Sequence, residues 1–78
     1  MTLIPNVQRS SLSRQHSVDD ITVTVDIFRP SVSHGWQLEV TSSDDQITDW
    51  GNETFATDQD AWVEFLYVVE TEGITAFL

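Results

Sequence analysis

Residues 55–74 read as one amphipathic helix with a signal at each end, and that helix constrains what the rest of the chain can be. Thr57 is an N-cap residue, and Asp60 stands three positions on as the acidic partner of a capping box. Asp58 and Asp60 put negative charge where the helix dipole favours it. Ala61, Trp62, Phe65, Leu66 and Val69 recur at intervals of three and four, which makes one apolar stripe. Gly73 suits a left-handed C′ position, with Ile74 placed to touch Val69 in a Schellman stop. The spacing predicts a helix over about 58–72. A lone stripe cannot bury itself, so the other ordered segments must supply an apolar face to cover it.

Alternation supplies that face. Ile21, Val23, Val25 and Ile27 alternate with Thr22, Thr24 and Asp26, which predicts a half-buried strand over about 20–29, ended by Arg29-Pro30. Trp36, Leu38 and Val40 alternate with Gln37, Glu39 and Thr41, a second strand over about 36–42. Ser42 to Gln46 is a turn whose Ser and Asp side chains can bond the local backbone. A third strand is expected over about 46–51. Ile47 and Trp50 cannot share one face of a regular strand, and Trp50 is taken as inward because it offers more area to bury. Residues 74–78 are short and apolar, and suit an edge strand parallel to the first. The expected fold is therefore α+β: an antiparallel meander with one helix on one face, sheet order 3-2-1-4, a sandwich of two layers.

The chain has 78 residues, room for one small domain. A single core of this size rarely supplies more than about 3–5 kcal/mol. Either the three Trp and four Phe pack it well, or a second copy completes it. Cysteine is absent, so there is no disulfide, thiolate metal site or thiol nucleophile, which suits a reducing, cytoplasmic setting. No apolar run is long enough for a membrane span.

Residues 1–18 show no sustained periodicity and are expected to be a flexible, basic, Ser-rich tail ahead of one acidic domain over 19–78. A second reading of the tail is a basic arm that folds back on the body or engages a partner. A third is an organellar transit peptide, which Pro5 disfavours by spoiling an early amphipathic helix. All thirteen acids lie in residues 19–78 against Arg29 alone, so that part carries −12, while Arg9 and Arg14 give the first eighteen residues +2. Such a body is repelled by nucleic acid and by anionic membranes, so neither is an expected partner.

Few residues offer chemistry. Trp36, Trp50 and Trp62 read as core anchors, since a stacking platform for nucleic acid needs cations nearby and there is no Lys. Asp44, Asp45, Asp49, Gly51 and Glu53 lack the spacing of a calcium loop. His16 and His34 without Cys do not make a structural zinc site, and no cofactor is expected. A small hydrolase or metal-dependent activity would use His34, in the loop before Gly35, with the acids of residues 44–53. No nucleophile elbow, phosphate loop or HExxH accompanies it. On the open sheet face and beyond it, Phe28, Glu39, Tyr67 and Phe77 are the candidate interaction residues.

The string Trp36-x-Leu-x-Val, Asp49-Trp50, Phe55-x-Thr-Asp-x-x-Ala61 and Glu72-Gly-Ile74 resembles the many short bacterial proteins built as a hairpin and a helix. That resemblance implies a fold and no function. The expectation is a small, soluble, non-enzymatic acidic protein that works through a protein partner, with a homodimer as one form. The alternatives are an inhibitor that mimics nucleic acid and binds a DNA- or RNA-binding protein, and the His34 activity.

Overall fold

A computed structural model describes residues 8–30, 34–51 and 53–78. Five strands and one helix follow in order: β1 (Gln8–Arg9), β2 (Arg14–Val18), β3 (Ile21–Arg29), β4 (Gln37–Ser42), β5 (Ile47–Asp49) and α1 (Asp58–Glu72), then a 3-10 turn at Ile74–Phe77. All pairing is antiparallel. β5 pairs with β4 and β4 with β3, while β1 and β2 share the far side of β3.

The three predicted strands and the helix are present, and their inward residues are the predicted ones. Val23, Val25 and Ile27 of β3 lie beside Leu38 and Val40 of β4, and Ala61 and Phe65 of α1 close over them. Register explains the fit: Val25 stands opposite Val40 and Ile27 opposite Leu38, so two alternating strands present one apolar surface. The Thr57 hydroxyl accepts the Asp60 N–H at 3.0 Å, as the cap predicts. In the β4–β5 turn, Ser42 Oγ accepts the N–H groups of Asp44 and Gln46. Thr41 pairs with Ile47, which puts Trp50 in step with Leu38. Trp50 packs on the core and Ile47 is 60% exposed, so Trp50 is the inward residue.

Of the expected tail, residues 1–7 lie outside the described residues, and residues 8–18 are not a tail. They form an edge of the sheet, joined to β3 by Asp19 and Asp20, both at positive φ (52° and 68°). Two positive-φ residues between paired Val18 and Ile21 make a tight hairpin turn whose twist suits the strands. The segment then bulges. Arg9 pairs with Phe28 and Arg14 with Val25, so residues 10–13 face only residues 26–27. Serines repair the ladder there. Ser13 Oγ accepts the Ile27 N–H at 3.0 Å and donates to the Ile27 carbonyl at 3.2 Å, which also takes the Ser10 N–H at 2.8 Å. Ser10, buried, donates its hydroxyl to Asp58 Oδ2 at 2.7 Å and so ties the edge to the first turn of α1.

The C-terminal strand is a correction. Its place beside β3 is taken by β1 and β2, and residues 74–77 coil into a 3-10 turn. A 3-10 repeat brings residues three apart onto one side, so Ile74 and Phe77 both enter the core while Thr75 and Ala76 face out. The sheet order 3-2-1-4 is therefore replaced by β5-β4-β3 flanked by β1 and β2. Gly73 is also not left-handed helical: at φ 88°, ψ 158° it is extended with a sign of φ that only glycine adopts readily. Its N–H still caps the Val69 carbonyl at 3.0 Å. Among the described residues no helix is long and apolar enough to cross a membrane.

Candidate interaction surface

One face of the sheet is covered by α1 and the 3-10 turn, and among the described residues the other is open. Parity assigns the open face: residues 22, 24, 26 and 28 of β3 and 37, 39 and 41 of β4 point away from the buried set. Thr22, Thr24 and Thr41 make one polar half, extended by Ser17, whose hydroxyl lies 2.6 Å from that of Thr22. Such a face is what water normally meets.

The other half is different. Asp26 stands opposite Glu39, and Glu39 opposite Asp49, so three carboxylates form a row across three adjacent strands. Arg9 Nη2 lies 2.6 Å from Asp26 Oδ1, with the two side chains 62% and 28% exposed. The other arginines are engaged elsewhere: Arg14 lies over the Trp62 ring at 5.3 Å and Arg29 over the Trp36 ring at 4.3 Å. Asp49 accepts the Gly51 N–H at 2.9 Å. Glu39 makes no hydrogen bond or ion pair among the described residues, so the middle of the row is uncompensated. Like charges directly across a ladder destabilise it by roughly 0.2–1 kcal/mol per pair. Phe28, half-buried, closes this end of the face between Arg9 and Gln37.

The expected interaction residues separate. Phe28 and Glu39 share the open face. Tyr67, 61% exposed, is on the outer side of α1, in the other layer. Phe77 is no surface residue: it is 2% exposed, with ring centroids 5.5 Å from Phe65 and 6.3 Å from Trp50. Its alternation with neighbours suggested an edge strand, but the 3-10 turn directs it inward. His34 is exposed in the β3–β4 connection, part of which (residues 31–33) lies outside the described residues. No group of three or more His, Asp or Glu side chains is gathered as for a metal ion among the described residues.

All three tryptophans are core anchors, packed against the buried cluster. Trp50 Nε1 donates to Glu64 Oε2 at 3.2 Å, which settles its polar end. His16 fills the corner between α1 and the sheet edge, its ring edge-on to Phe65 at 5.2 Å and to Trp62 at 5.9 Å. Asp26, Asp49 and Arg9 are the surface residues that sequence reasoning did not single out. The parity of strands β3 and β4 placed Asp26 and Glu39 on one face, but only the register brings them side by side.

The described surface has no pocket, so nothing in it encloses a small molecule. Comparison with protein-family models, with curated proteins and with solved structures finds no match to this chain.

Proposed function

We propose that this chain is a non-enzymatic contact module that engages a protein partner through the open face of its sheet, the partner presenting basic side chains to the row Asp26–Glu39–Asp49. The observation that carries this reading is the register that sets Glu39, with no cation of its own among the described residues, between Asp26 and Asp49. Replacing half-buried Glu39 with a neutral residue should relieve the repulsion along the row, and an acid there is understandable if another molecule supplies the missing cations. The described surface, which has no pocket, suits a macromolecule better than a metabolite. Phe28 at the end of the row adds apolar area of the kind that anchors such contacts.

The test uses a variant that separates stability from contact. Glu39→Gln should raise the stability of the isolated chain by about 0.5 kcal/mol while lowering retention of the partner captured from the native host. If stability is unchanged or falls, and the partner is retained as before, the reading is wrong. The same row favours the second reading, in which carboxylates stand in for phosphates. Competing DNA or RNA oligonucleotides would then displace the partner, whereas a partner that recognises the sheet itself would ignore them.

A further inference from the structure

The sheet has two edges, and they are unequal. β5 offers three residues and is flanked by Asp44, Asp45 and Glu53. β2 offers five, Arg14–Val18, with neither Pro nor Lys among them, and the bulge at residues 10–13 ends before it begins. Backbone direction follows from the hairpin. Ile27 turns both its N–H and its carbonyl toward the β1–β2 side. By the alternation of an antiparallel ladder, Val25, Val23 and Ile21 do the same, and they engage Arg14, His16 and Val18. The N–H and carbonyl groups of Gln15 and Ser17 therefore face away from β3, and among the described residues nothing pairs with them.

We infer that this edge is an interface for a second copy of the chain: β2 pairs antiparallel with the partner's β2 about a two-fold axis at His16. Gln15 then exchanges backbone hydrogen bonds with the partner's Ser17, and Ser17 with the partner's Gln15, which satisfies every outward group of the strand. The charge pattern selects this arrangement. β2 begins with the cation Arg14 and runs into the acidic tip Asp19-Asp20. Antiparallel pairing sets Arg14 opposite the partner's Val18, next to the partner's Asp19, at both ends of the interface. Parallel pairing would set tip on tip. The residues at the centre are uncharged Gln15 and Ser17 on one face and His16 on the other, so no acid meets an acid across the new ladder. The new strand covers the exposed rims of His16 and Val18, both half-buried in the single chain. The inference stands on the strand edge, not on the open face, so it can fail without the proposed function failing.

An interface of one strand is smaller than the ~800 Å² per partner of a standard complex, so the dissociation constant should be on the order of 100 µM. Sedimentation of the full chain from about 10 µM to about 1 mM, at an ionic strength where the screening length is about 8 Å, reads it directly. The expected result is a monomer–dimer equilibrium that Gln15→Pro weakens at least about tenfold, since proline removes an outward N–H while leaving the β3 ladder whole. A wild-type chain that stays monomeric throughout overturns the inference, as does a Gln15→Pro dimer of unchanged affinity or growth beyond the dimer. Should Gln15→Pro not fold, amide chemical shifts of the wild type decide instead. Concentration dependence confined to residues 13–20 supports the edge pairing, and its appearance elsewhere or nowhere overturns it.

Discussion

Removing the Ser13 hydroxyl should loosen the whole N-terminal edge. Ser13 Oγ is the partner of the Ile27 N–H and a second donor to the Ile27 carbonyl, and Ile27 itself is 0% exposed. In Ser13→Ala the carbonyl keeps the Ser10 N–H at 2.8 Å, but the Ile27 N–H loses its acceptor. A buried donor left unmade costs about 1–3 kcal/mol, and Ser13 is half-buried, so some water reaches the site and the lower part of that range applies: about 1–2 kcal/mol. In a domain of this size that lowers Tm by about 5–15 °C. It is a large share of the ~3–5 kcal/mol a core this small supplies. Thermal and urea unfolding followed by Trp fluorescence would read it, with Ser11→Ala as the control: Ser11 is exposed and should change stability by less than about 0.5 kcal/mol. Ser13→Thr keeps the oxygen and should recover most of the loss. If Ser13→Ala matches Ser11→Ala, the serine does not repair the ladder and residues 10–13 are not docked as described.

Two further changes probe the turns and the close approach. Gly35→Ala should cost about 1–3 kcal/mol in urea unfolding, because a Cβ there would sit 2.7 Å from Cβ and Oγ1 of Thr54, beside the Trp36–Phe55 bridge that must hold its place. Asp20→Gly should instead stabilise by about 0.5 kcal/mol, a rise in Tm of a few degrees, since glycine relieves a side chain held at φ 68° and removes one of two adjacent charges, less the entropy glycine loses on folding. A fall in Tm would mean that the Asp20 side chain holds the turn.

The centre of the fold was legible because local and long-range signals agree there. The helix has a cap, a stripe and a stop that all serve the same end point, and β3 and β4 alternate so strictly that their inward faces follow from parity alone. Trp50 was placed by area against Ile47. The N-terminal edge was not legible, for a physical reason. β2 reads Arg-Gln-His-Ser-Val, with little apolar alternation, because two of its three inward positions are filled by Arg14 and His16, which meet Trp62 and Phe65 with a guanidinium face and an edge-on imidazole, and only Val18 adds aliphatic bulk. Its turn lacks glycine, and its bulge is held by serine hydroxyls, which in a sequence look like the mark of a loop. The fold-back reading of the arm was the one closest to the structure, through Arg9 on Asp26. At the other end, Ile74-Thr-Ala-Phe-Leu78 fits a period of two and a period of three, and only the occupied edge of β3 decides between them. The acidic row was out of reach of the sequence because it depends on register between strands whose loops do not set it.

The outward edge of β2 and the Arg9 cation of the open face both depend on residues 8–18 being an edge of the sheet. The most direct measurement is the set of cross-strand Hα–Hα contacts in the NMR spectrum of the full chain. Gln15 pairs with Thr24 and Ser17 with Thr22 without backbone hydrogen bonds between them, the arrangement in which opposed Cα atoms approach to about 4.5 Å. The account predicts a strong Hα–Hα contact for each of these pairs and slowed amide exchange at His16. Random-coil shifts across residues 8–18, with neither contact present, would contradict it.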